Sequence, residues 1–336
     1  MSLFLFRFSF FVFVLLSSAC IRITPPSMAP VSTGACRTAG IRWIAPDAVR
    51  DRMRLDAWCA GVGGAEVRAA APDITENAIA MSDITFVSWN VHVGNGDVRS
   101  FVTDLRNGEH TPGRRVGHFV LMLQEVVRTN DVPSFPETAS GAARIRAHAD
   151  ARAIDIGRIG RELGLSLIYV PSMRNGGADD PAEDRGNAIL STLPLSQPIA
   201  VELPGERQRR VIIMAKASSV WVAVVHLDAL GGARRLRVFW TPWMRDMQVR
   251  ATASVLPGGP LVIGADLNTW HGRDEGATHF LNDLFRATPL SIDRQGLGLR
   301  ALDYMFFRAG PGQRASYRQV DRRYGSDHRP LVGWVE

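Results

Sequence analysis

Ser326-Asp327-His328-Arg329-Pro330 lies a few residues from the C-terminus and completes an ordered series of polar residues, each beside an apolar run. Trp89-Asn90 follows Ile84-Thr85-Phe86-Val87, Gln124-Glu125 follows the run 119–123, and His226 follows the run 221–225. Asp266 and Asn268 follow the run 261–265, and Asp303 opens Tyr304-Met305-Phe306-Phe307. Carboxylates, amides and imidazoles in this combination suit phosphoester hydrolysis. A phosphodiester anion repels nucleophiles and releases a poor alkoxide, so a catalyst must neutralise charge and activate water. Glu125 is the first choice as a ligand for Mg²⁺, with Mn²⁺ an alternative, because hard cations take oxygen donors. Asn90 is an amide ligand or a phosphate contact, and Asp327 joins the metal directly or through water. His328 suits phosphate contact or proton transfer, since imidazole changes charge near neutral pH.

Each residue alone has an ordinary reading. Asn90 or Asn268 could cap a turn, Glu125 could be a solvated strand end, and His226 could be a satisfied core histidine. Their shared placement argues for one site, because a buried strand ending in a polar group delivers that group to a sheet edge where loops gather.

The elements that must position these residues are strands alternating with helices. The pattern predicts mixed sheets covered by helices in one domain over residues 83–336. Asp97 is expected to cap a helix over 98–105. A longer helix is expected over 142–163, a strand over 166–170, an acidic Gly-rich loop over 175–184, and a loop then a helix over 231–255. Before the main domain, residues 20–82 read as a tether and a small appendage: 24–30 a Pro- and Ser-rich tether, 47–55 a short helix, 61–71 a flexible stretch.

The order and spelling of these motifs resemble the endonuclease/exonuclease/phosphatase superfamily of DNase I-like proteins, from about residue 84 to the C-terminus. Gly264-Ala265-Asp266-Leu267-Asn268 and Ser326-Asp327-His328-Arg329-Pro330 carry the resemblance most specifically, and Arg185-Gly186-Asn187-Ala188-Ile189-Leu190-Ser191 adds a similar strand. The resemblance implies an α/β fold, a four-layer αββα sandwich of two packed mixed β-sheets flanked by helices, with the site at one end. It implies that Asp303 accepts a hydrogen bond from His328, that Asp266 aligns or deprotonates the attacking water, and that Asn268 donates to a phosphate oxygen. It places His226 opposite His328 across the phosphate, and Asn187 in contact with substrate. Where such proteins pair the second histidine with a Glu, Asp184 is the nearest carboxylate here. His92 stands two residues after Asn90, where abasic-site endonucleases carry Asp.

The chain has 336 residues, 46% of them hydrophobic, which is ample for a buried core. Its formal charge is +6, and Lys216 is the only lysine. Arginine-borne charge suits a phosphate substrate, nucleic acid included, and equally reflects a coding bias toward arginine. Membrane entry of a phospholipase C or sphingomyelinase would need an apolar loop, for which 239–244 is the one tempting segment. Residues 1–19 carry a single charge, Arg7, and a short apolar core ending in small residues, as in an export signal. Cys20 then reads as a lipidation site and membrane anchor, with ordinary cleavage near Ala19 or a start nearer Met28 as alternatives. Cys36 and Cys59, the remaining thiols, suggest one disulfide in an exported chain acting as a monomer.

Overall fold

The computed structural model describes residues 24–31, 40–62, 64–70, 79–130, 132, 144–145, 149–175, 182–205, 208–229, 237–286 and 302–336. The segment 1–19 read as an export signal, Cys20, Cys36 and all of residues 176–181 and 231–236 lie outside these residues.

The first strands are β1 (Met28–Pro30), β2 (Arg42–Pro46), β3 (Glu66–Arg68), β4 (Ile84–Asn90) and β5 (His118–Arg128). β6 (Arg144–Ile145), β7 (Ser166–Asn175), β8 (Glu183–Ser191), β9 (Leu195–Glu202) and β10 (Val211–Ala217) follow. The last are β11 (Val220–His226), β12 (Leu261–Asp266), β13 (Asp303–Arg308), β14 (Ala315–Gln319) and β15 (Leu331–Val335). They form two mixed sheets. One runs β1-β2-β9-β10-β11-β12-β13, and the other β14-β15-β4-β5-β8-β7-β3 with β6 beside β7.

The central strands β4 and β12 are buried along their whole length, which is why their sequences read as continuous rather than alternating apolar runs. Phe86, Met122, Val222, Val262 and Phe307 meet between the sheets. Phe86 and Phe307 pack edge to face with centroids 6.2 Å apart, and truncating either to alanine would cost about 3–5 kcal/mol. On the outer face of one sheet, Val87, Trp89 and Leu121 pack on the helices Val98–Asn107 and Ile156–Glu162. On the outer face of the other, Val225, Ile263 and Phe306 pack on Arg237–Ser254 and Gly276–Leu284. The result is the expected αββα sandwich. Strand β12 lies across β4, and β11 across β5. A side chain at Gly264 would come within 2.8 Å of Ser88 Oγ and 2.9 Å of Met122 Cβ, so glycine is what allows the sheets to approach there.

The segment before β4 is woven into this body. β2 pairs in parallel with β9, β1 pairs with β2, and β3 pairs with β7. Part of the expected tether and part of the expected flexible stretch are thus edge strands, because β9 and β7 offer unpaired backbone groups. Trp43 and Ala45 of β2 enter the core between the sheets, and the short helix expected here runs Val49–Gly61.

Asp97 caps the helix Val98–Asn107, accepting from Ser100 N at 3.0 Å, as expected. The long helix expected over 142–163 is corrected: residues 144–145 are strand, and the helix spans only Ile156–Glu162. Asp155 sets its start, with Oδ1 accepting from Arg158 N while Oδ2 accepts from Thr129 N and Asn130 N. A capping carboxylate tied to a neighbouring strand cannot also continue a helix upstream.

Candidate active site

Strand register sets the site. In one sheet His226 pairs with Asp266 across β11 and β12, and Asp266 pairs with Asp303 across β12 and β13, so three reactive side chains stand in one row. In the other, Asn90 pairs with Gln124 across β4 and β5. A bulge between Leu123 and Val126 then breaks the register with β8, and Glu125 takes φ 56°. The extra residue turns Glu125 outward: its side chain is 23% exposed, while Gln124 is fully buried. His92 and Asn268 also hold left-handed backbone, at φ 48° and 50°. Non-glycine residues in this conformation are strained, and their gathering at strand ends is typical of functional sites.

His328 Nδ1 donates to Asp303 Oδ2 at 2.7 Å. Burial opposes charge on this imidazole, but Asp303, by charge and hydrogen bond, outweighs it with help from Asp266 and Asp327 and pushes the pKa up to about 10. The loop carrying His328 is stitched to β4. Ser326 Oγ donates to Asn90 O at 2.7 Å and accepts from His328 N at 3.0 Å, and Trp89 Nε1 donates to His328 O at 3.2 Å. Beneath it, Tyr324 packs against Trp89 and Phe101 and shares its hydroxyl with His110 and Asp104.

Asp266 is held on two sides: Asn90 Nδ2 donates to Oδ2 at 2.8 Å, and Asn268 N donates to Oδ1 at 2.9 Å. His226 Nε2 stands 3.5 Å from Oδ2. Asn268 spends one amide hydrogen on Leu227 O at 3.0 Å, which fixes its side chain beside β11. Asn90, Asp266, Asn268, His226, Asp303 and His328, chosen from the sequence, are therefore linked in one cluster.

The partner foreseen for His226 is corrected. Asp184 is committed to Arg128 Nη2 at 2.5 Å and Tyr169 OH at 2.6 Å, a buried network behind the site. His226 Nδ1 instead meets Arg210 Nη1 at 3.1 Å. Burial first, then the positive charges of Arg210, His328 and Arg185, hold the His226 pKa well below the usual imidazole range. Asn187 Nδ2 donates to Val211 O at 2.7 Å and ties the two sheets together.

Glu125 fits a hard cation. Its carboxylate makes no hydrogen bond among the described residues; Arg185 Nη1 at 3.8 Å and His226 Nε2 at 3.9 Å lie beyond that reach. Open carboxylate oxygens at the mouth of an oxygen-rich cluster are what Mg²⁺ or Mn²⁺ takes. Asn90 Oδ1 accepts from His92 N at 2.9 Å and keeps a second lone pair. Asp327 is half-exposed, with Oδ1 2.9 Å from His92 Nδ1 and 3.9 Å from His328 Nε2. Asp266, Asp303 and His328 also place ligand atoms within 4.8 Å of one another, a possible acidic metal site. Within that group Asp303 Oδ2 is already engaged by His328 Nδ1 at 2.7 Å, whereas the Glu125 carboxylate is bonded to no described residue.

Sequence reasoning passed over Arg185, the individual role of Arg210, and Trp270. Arg210 sits in a run of arginines that has no distinguishing spelling. Trp270 follows Asn268 by two residues and is 46% exposed. The loop carrying it is held by Glu275, which accepts from His271 N at 3.0 Å and pairs with buried Arg245 at 2.7 Å.

The chain matches the model of the Endonuclease/Exonuclease/phosphatase family over residues 87–328. No curated protein matches it significantly. Among solved structures it is similar to an endonuclease/exonuclease/phosphatase from Beutenbergia cavernae DSM 12333, with TM-score 0.50 and 16% identity over 75% of this chain and 71% of that one. The human Nocturnin catalytic domain with bound sulfate gives TM-score 0.48 and 14% identity over 75% and 93%. An AP endonuclease from Archaeoglobus fulgidus gives 0.42 and 14% over 74% and 98%. These likenesses concern the fold, whereas the family match runs through every residue of the cluster from Asn90 to His328; the chain belongs to the endonuclease/exonuclease/phosphatase family of phosphoester hydrolases.

Proposed function

We propose that this protein is an exported, divalent-metal-dependent phosphodiesterase that acts on nucleic acid. The observation that carries the reading is Asp266, oriented by Asn90 and Asn268, beside the Asp303–His328 pair. Asp266 aligns a water for attack, and the charged His328 imidazole faces the phosphate oxygens. A cation bound at Glu125 supplies further neutralisation of the phosphate charge. Trp270 favours nucleic acid over other phosphoesters, because an exposed indole two residues after Asn268 in the chain offers a face on which a base can stack. The lipid reading finds less support: Met244, in the segment considered for membrane entry, is buried.

Export rests on the apolar segment 1–19, followed by either lipidation at Cys20 or cleavage near Ala19. A Cys36–Cys59 disulfide belongs to the same reading. It draws support from Cys59, which is buried and bonded through sulfur in a chain with only two other cysteines. Mass spectrometry of the non-reduced mature protein should show the linked peptides.

The test is a Mg²⁺ activity panel of plasmid DNA, RNA, sphingomyelin, phosphatidylcholine and inositol phosphates, with His328→Ala as control. Cleavage of nucleic acid that disappears in the variant is expected. Activity confined to a lipid or an inositol phosphate would replace the substrate assignment, and activity on none would favour a binding protein on the same fold.

A further inference from the structure

We propose that Arg210 is a positioning residue that fixes His226 in the tautomer protonated at Nε2, so that His226 serves the phosphate as a neutral hydrogen-bond donor and not as an acid. The inference rests on the hydrolase reading above and concerns what one of its two histidines does.

A guanidinium has donors only. Arg210 Nη1 lies 3.1 Å from His226 Nδ1, so Nδ1 must accept and the ring's one proton must sit on Nε2. The far side of the ring agrees: the acceptor nearest Nε2 is Asp266 Oδ2 at 3.5 Å, a setting that suits N–H. Nε2 is buried and makes no hydrogen bond to any described residue, which leaves its proton directed at what enters between Asp266 and Glu125. Arg210 is itself held, since Nη2 donates to Gln208 Oε1 at 3.0 Å, and both residues are buried. The guanidinium is therefore fixed before substrate arrives. A carboxylate at Nδ1 would have made His226 a charged acid like His328, but Asp184 is bound to Arg128 and Tyr169. The two histidines thus face one phosphate with opposite partners and different duties. His328 carries a transferable proton, while His226 shares one that it retains.

The test is the long-range proton–nitrogen correlation spectrum of the full chain labelled at histidine, with the His226 signals assigned from a His226→Gln sample. At pH 7 the wild type should show Nε2 protonated and Nδ1 bare. Arg210→Met should give a mixture of tautomers, whereas Arg210→Lys, which also only donates, should keep the wild-type pattern. With substrate, Arg210→Met should lower kcat by about 10²-fold with a small change in KM, and Arg210→Lys should recover most of it. A wild-type His226 that is protonated at Nδ1, or at both nitrogens, would overturn the proposal, as would a pattern indifferent to Arg210→Met. If Arg210→Met does not fold, the wild-type spectrum and Arg210→Lys still decide. Lack of hydrolysis of any phosphoester would count against the function proposed above and leave the tautomer result standing.

Discussion

Asp303 Oδ2 lies 2.7 Å from His328 Nδ1, between residues that open one strand and precede another. Against the burial of the imidazole, this contact, helped by the charges of Asp266 and Asp327, raises the histidine pKa from 6.5 to about 10. Its contribution to stability is fully present below about pH 6.5 and is lost as pH rises through about 10. Asp303→Asn should therefore be destabilised most near pH 6 and draw level with wild type near pH 10. Urea unfolding at the two pH values measures this, and a constant gap would show that the pair does not hold a proton.

Asp266→Asn and His328→Ala should each lower kcat by about two orders of magnitude or more. The double variant should lose much less than the product, because both residues act on one transition state. Full multiplication would assign them to separate steps.

Glu125→Gln should keep the fold and raise the Mg²⁺ concentration needed for half activity by about tenfold or more, given that even groups one layer outside a metal alter its affinity by such factors. Activity that persists in excess chelator would remove the metal from the reading.

Trp270→Ala should weaken binding of single-stranded DNA to a His328→Ala background by about tenfold, within the range for one stacked base, while Trp270→Phe keeps most of the affinity. Equal affinities would place the nucleic acid elsewhere.

The cluster was legible in the sequence because Asn90, His226 and Asp266 end buried strands, Asp303 opens one, and Asn268 and His328 sit in the loops beside them; register does the rest, since His226, Asp266 and Asp303 are neighbours once β11, β12 and β13 pair. The edge strands β1 and β3 were not legible, since three-residue strands lack a period, and β3 in addition depends on β7, a partner far along the chain. The 142–163 helix failed for a related reason, as the tertiary role of Asp155 overrode local helix preference. Arg210 was visible only as one arginine among many. What distinguishes it is the histidine across the strand pair, which spacing along the chain does not reveal.

Gly264 gives the site a dimension. Asn90 and Glu125 come from one sheet, His226, Asp266 and Asp303 from the other, and the thickness of the interior beneath them decides how far apart they stand. The missing methyl group at Gly264 acts as a spacer of zero length between Ser88 and Met122. The width of the jaws that close on a phosphate is in this way written in the core, so a change that never touches substrate can still alter which substrates fit.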